Sequence, residues 1–272
     1  MNKNIYEYIK TRNNMPKKST RVTRTRRYRM NVNQYIQRGA LLGRGEYGMV
    51  HEDATNQNNV VKTVLFTPRY DPGTGKYLSV DDLEEMFMKE GKIQQEMGQK
   101  EIAPMVYYYG TTIDDGEKKG IIIMEKMSGI YRSRYPDIGD NPNVIEPAVL
   151  PPASVQHKVI KKMIEMIDAG YIHNDLHGGN IGFVRKNGKD EVRLFDYGFS
   201  HAISPLCLPC NKDQILGFSL YQLIEHLPFE LRDKSVYYDV IYDLRQNKDV
   251  FGQYRPEHEK TKSLKSFKRS HR

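Results

Sequence analysis

The chain has 272 residues, with 42 Lys and Arg against 34 Asp and Glu and a formal net charge of +8. That length suits one large domain or two small lobes with a sizeable core. No run approaches the roughly 18 consecutive apolar residues of a membrane span, and the polar, basic start is not a secretory signal. A soluble intracellular protein of the cytoplasm or nucleus, without membrane contact, is therefore expected.

The charge is uneven. Residues 1–30 hold ten Lys/Arg against one acid, residues 254–272 hold seven against two, and residues 31–253 hold 25 against 31. Like-charged blocks repel and offer little to bury. They are read as flexible basic tails, 1–30 and 254–272, suited to contact with a polyanion or nucleic acid, around a folded body at 31–253. Cys207 and Cys210 are the only cysteines. Without a second pair they make no zinc site, and reduced thiols are expected.

Within the body, Leu41-Leu42 and Met49-Val50-His51 flank a glycine-rich stretch and suggest a hairpin. Asn59 to Phe66 is a strand rich in β-branched residues, and Arg69 to Lys76 reads as a loop from its Pro and Gly. Ser79 then caps a helix with early acids, and Leu83, Met86, Phe87, Glu90 and Ile93 recur at helical spacing. Two strands follow, Met105 to Tyr109 and Gly120 to Met127, joined by a turn at 114–117. Residues 128–152 show no periodicity. Ala153 to Ala169 is a strong helix with Val155, Val159, Met163, Ile164 and Ile167 on one side, and Gly170 is placed to end it. Arg193 to Phe195 is a short strand and Gln214 to His226 a buried helix. The fold class is α+β in two lobes, a small β-rich lobe to about residue 127 and a reduced, mostly helical lobe over 128–253.

The chemistry concentrates in Tyr171-Ile-His-Asn-Asp-Leu-His-Gly-Gly-Asn180, which sets Asp175 five residues before Asn180, with Asp196-Tyr197-Gly198 sixteen residues further on. One carboxylate to orient an attacking hydroxyl, and an Asn/Asp pair to hold Mg²⁺, is what phosphoryl transfer from a nucleotide requires. Gly43-Arg44-Gly45-Glu-Tyr-Gly48-Met-Val50 would bring backbone N–H groups up to phosphate oxygens. A strand follows these glycines where dinucleotide folds have a helix. Lys62, on the next strand, would neutralise phosphate charge. Glu90 is its expected acidic partner, with Glu85, Glu96 and Glu101 as competitors. His173 reads as structural, and His177 as turned to the acceptor.

These residues resemble the eukaryotic-type protein kinase family over roughly residues 36–226. The compact pattern is similar to the atypical RIO kinases and to the small kinase of the KEOPS complex. The Lys- and Asn-rich composition is similar to that of kinases of large DNA viruses. The resemblance implies a two-lobed kinase-like fold using ATP and Mg²⁺, with Asp175 as catalytic base and Asn180 and Asp196 as metal ligands. It implies adenine contacts at Met124, Glu125 and Met127, and a protein substrate phosphorylated on Ser or Thr. Two departures stand out. The family's His-Arg-Asp is His173-Asn174-Asp175 here, which puts control by activation-loop phosphorylation in doubt, and no Ala-Pro-Glu motif follows. The Asp-Leu-His-x-Gly-Asn form also resembles small-molecule phosphotransferases acting on aminoglycosides or choline. A catalytically silent scaffold holding RNA through its tails is the third reading.

Overall fold

The computed structural model describes residues 38–45, 48–71, 75–114, 116–135, 148–203 and 212–247. Both basic tails and both cysteines lie outside these residues, and so do the expectations attached to them. The chain divides into two compact units. One holds the residues up to Arg134 together with His173–Asp175 and Gly179–His201; the other holds Tyr135–Ile172, Leu176–Gly178 and the residues from Ala202 onward. Among the described residues no helix is long and apolar enough to cross a membrane.

The first unit is built on a five-stranded antiparallel sheet. Its strands are β1 (Arg38–Arg44), β2 (Gly48–Asp53), β3 (Asn59–Leu65), β6 (Val106–Asp114) and β7 (Glu117–Glu125), in the order β1-β2-β3-β7-β6. The hairpin expected around the glycines is β1–β2. Register sets Val50 opposite Lys62, Lys62 opposite Ile122, and Val60 opposite Met124. One sheet face therefore carries Val60, Ile122 and Met124, and Lys62 emerges among them.

Helix α1 (Val80–Gln99) packs on that face, burying Leu83, Phe87, Glu90, Ile93 and Met97. Its start is fixed by a capping box, in which the Asp82 N–H donates to Ser79 Oγ at 3.2 Å and the Ser79 N–H donates to Asp82 Oδ2 at 2.8 Å. The Ser79 hydroxyl, which donates to Asp82 Oδ2 at 2.5 Å, and then the Ser79 N–H hold the Asp82 carboxyl below its ordinary range. Met86, expected inside, is 40% exposed because it falls at the edge of the apolar stripe.

The segment from Arg69 to Lys76, expected as a loop, is a small hairpin of β4 (Arg69–Asp71) and β5 (Lys76–Leu78), with Tyr70 opposite Tyr77. Gly75, which precedes β5, is at φ 68°. After β7 come β8 (Gly129–Ile130) and the short helix α2 (Tyr131–Arg134), where no element was expected. β8 pairs with β9 (Ile181–Lys186), and β9 with β10 (Lys189–Leu194). The β9–β10 turn is Asn187-Gly188 at φ 51° and 75°, the left-handed pair a tight hairpin needs.

The second unit is helical: α3 (Ala153–Asp168), α4 (Lys212–Glu225), α5 (Phe229–Arg232) and α6 (Val236–Asn247). Helix α3 buries Val159, Ile160, Met163, Met166 and Ile167. Ile164, expected on that face, is 41% exposed. Gly170, at φ 85°, follows the helix end as expected. Gln156 is buried with both ends of its amide bonded, Nε2 donating to Pro151 O at 2.7 Å and Oε1 accepting from the Val236 N–H at 2.8 Å.

Candidate active site

Every residue of this site belongs to the first unit. A cleft of about 590 Å³ is walled by Gly43, Gly45, Gly48 and Val50 from the hairpin and by Lys62 and Glu90 from β3 and α1. Met124 and Met127 from the end of β7, and then Asp175 and Asp196, complete its functional lining.

A lysine on an apolar sheet face needs counter-charges, because a buried ammonium left alone is costly. Lys62 has two: its Nζ lies 2.8 Å from Glu90 Oε1 and 3.0 Å from Asp196 Oδ1. Of the four glutamates considered, Glu90 is therefore the one that meets Lys62. Burial pulls the Lys62 proton affinity down, but Glu90 and Asp196 together outweigh it and hold the ammonium well above the usual lysine range. The side chains of Lys62 and Glu90 are mostly buried, whereas that of Asp196 is 49% exposed, leaving a face open to a ligand.

Two backbone positions in the loops are left-handed, Asn174 at φ 62° and Asp196 at φ 63°. Asn and Asp tolerate this region better than other side chains, which suits Asn where the kinase pattern has arginine. His173 ties the two loops together: its ring Nε2 donates to Phe195 O at 2.9 Å, and its own carbonyl accepts from Ser200 Oγ at 3.1 Å. Asn180 Nδ2 donates to the Asp175 carbonyl at 2.8 Å and to Asp175 Oδ2 at 3.1 Å. Both partners are acceptors, so the amide nitrogen must face them and its oxygen points away. That oxygen and the Asp196 carboxylate are hard donors of the kind Mg²⁺ takes, few in number and completed by phosphate and water. The donor types fit the metal, and of the two it is Asp196 that lines the cleft.

The glycines differ in role. A Cβ on Gly48 would sit 2.5 Å from Thr63 O, inside the β2–β3 ladder, whereas one on Gly43 would meet nothing within 4 Å and one on Gly45 only Gly48 O at 3.9 Å. Gly48→Ala is therefore expected to lower stability by about 1–3 kcal/mol, while Gly43→Ala and Gly45→Ala leave the melting temperature nearly unchanged. Thermal melts of the three variants check this.

Not every expected residue lines the cleft. Arg44 is exposed at the end of β1. Glu125 turns its carboxylate to the Met105 N–H at 3.2 Å. Asn180 is 5% exposed, is bonded to Asp175 and is not among the lining residues. His177 belongs to the second unit, its ring 5.4 Å from that of His226. The lining residues that were not anticipated include Arg69, Gln94 and Phe199. Gln94 follows Glu90 by one helical turn, and its Nε2 lies 3.1 Å from Met124 Sδ; the four-residue spacing from Glu90 was the available signal.

Tyr197 is fully buried, its ring centroid 5.1 Å from that of His173, and its hydroxyl has no hydrogen-bond partner. Burial pushes the phenol above its ordinary range. Since an unmet buried hydroxyl costs about 1–3 kcal/mol, Tyr197→Phe is expected to raise the melting temperature. A fall on thermal denaturation contradicts this.

A family model described as the ABC1 atypical kinase-like domain matches residues 82–207. The match runs from the first turn of α1 past Asp196-Tyr197-Gly198; the glycine hairpin and Lys62 lie ahead of it. No curated protein matches the chain. The strand-first, helix-later α+β architecture and this match together make the fold kinase-like, and the similarity is to the atypical kinases.

Proposed function

We propose that the chain is an ATP- and Mg²⁺-dependent kinase that transfers the γ-phosphoryl group to a Ser or Thr hydroxyl of a protein substrate. The observation that carries this reading is Lys62 held between Glu90 and Asp196 in the cleft that Asp175 also lines. In this reading Lys62 binds the α- and β-phosphates, and Glu90 keeps its ammonium aimed at them. The hairpin over Gly43 and Gly45 leaves its backbone open to phosphate oxygens. Asp196 and the Asn180 amide oxygen would hold Mg²⁺, which when bound neutralises charge developing on the transferred group. Asp175 orients the acceptor hydroxyl and accepts its proton, while Asn180 Nδ2 fixes the carboxylate. Met124 and Met127 would flank the adenine, and the basic ends would bring in an acidic partner.

The test follows the label from γ-labelled ATP·Mg²⁺ offered with acidic and basic protein substrates, with small alcohols, and with no acceptor. Label on protein Ser or Thr supports the proposal. Label on small alcohols alone would move the chain to the metabolite phosphotransferases. Nucleotide binding without transfer anywhere would leave a scaffold.

A further inference from the structure

We propose that Arg134 is a positioning residue for the adenine end of the cleft, clamping the turn Ser128–Ile130 onto the β9–β10 hairpin and so setting nucleotide affinity. The inference rests on the nucleotide reading above and deepens it.

Ser128, Gly129 and Ile130 line the cleft beside Met127, yet the ladder that holds them is only the two-residue strand β8, with Ile130 opposite Gly182 and Gly129 opposite Phe183. So short a ladder is marginal by itself. Two bonds from Ser128 to Phe183 O, from its N–H at 2.7 Å and its Oγ at 3.1 Å, begin to secure it. Arg134 completes the attachment. Its guanidinium carbon lies 4.2 Å from the Phe183 ring centroid. Nη1 donates to Asp190 Oδ2 on β10 at 2.6 Å. Nη2 reaches the Ser128 carbonyl at 3.5 Å and its hydroxyl at 3.4 Å. The contact is close enough that a Cβ on Gly129 would sit 2.9 Å from Arg134 Nε.

One planar group thus touches the turn, the β9 ring and the β10 carboxylate at once. The Arg134–Asp190 pair is about a third exposed, with side chains at 31% and 30%, so the charge attraction is the weak part. The fork and the flat face do the positioning. Lysine would keep the charge and lose both.

The full-length chain is titrated by calorimetry with Mg·ADP and separately with adenosine. Arg134→Ala is expected to weaken both ligands by a similar factor, roughly tenfold, because the clamp acts where the base sits and adenosine has no phosphate. Arg134→Lys should recover only part of the loss. Lys62→Met supplies the contrast, losing Mg·ADP while keeping adenosine. A folded Arg134→Ala that binds both ligands like wild type overturns the clamp, and so does a loss confined to Mg·ADP. Should Arg134→Ala not fold, Asp190→Ala carries the test, with a smaller loss of the same sign for both ligands. A wild-type chain that binds neither ligand overturns the nucleotide reading and the clamp together, whereas wild-type binding beside unaltered variants overturns the clamp alone.

Discussion

Asp175→Ala is expected to cut phosphoryl transfer by about 10²- to 10⁴-fold, the span general-base removal produces, while Mg·ATP binds as before. The separation follows from how Asn180 is held. Its amide donates to the Asp175 backbone carbonyl at 2.8 Å as well as to the carboxylate at 3.1 Å. Truncating the side chain removes the second bond and leaves the first, so the amide oxygen keeps its direction. Lys62 makes its ion pairs with Glu90 and Asp196, and neither pair involves Asp175. Single-turnover transfer and calorimetric titration on the same preparation check both halves. Unchanged turnover would show that the hydroxyl proton goes elsewhere.

The second large effect is expected at Asp196. Asp196→Ala should abolish the gain in ADP affinity that Mg²⁺ confers, making the variant behave with the metal as wild type behaves in a chelator. Its carboxylate is the charged ligand in the proposed pair and the more exposed of the two counter-ions of Lys62. The fold should survive, because Glu90 still neutralises the ammonium at 2.8 Å, and alanine at the left-handed φ of 63° adds only about 1 kcal/mol of backbone strain. Titrations with and without Mg²⁺ give the answer, and a variant that still gains affinity from the metal would remove Asp196 from the metal site.

The parts of this molecule legible from sequence are those with a local cause. The Ser79–Asp82 capping box, the β-branched β3 strand and the glycine-flanked hairpin are each specified within a few residues. Glu90 could be ranked above its competitors because it shares a helical face with Phe87 and Ile93, and the ion pair with Lys62 follows that face. What escaped depends on partners distant in sequence. β8 is two residues long and exists because β9 lies beside it. The β9–β10 hairpin alternates weakly, and its Asn187-Gly188 turn signal sits among charged neighbours. In α1 and α3, Met86 and Ile164 fit the period but fall at the stripe's edge, where tertiary packing decides exposure. A buried amide beside a methionine sulfur, as at Gln94, has no short motif.

The central claim is that the cleft over Lys62 receives an adenine nucleotide. Photolabelling with an azido-adenine nucleotide, followed by peptide mapping, tests it most directly. Labelled peptides spanning Gly43–Val50 or Met124–Ile130, suppressed by excess ATP·Mg²⁺, are the expected result. Label on other peptides, or label that ATP·Mg²⁺ does not displace, would contradict the account.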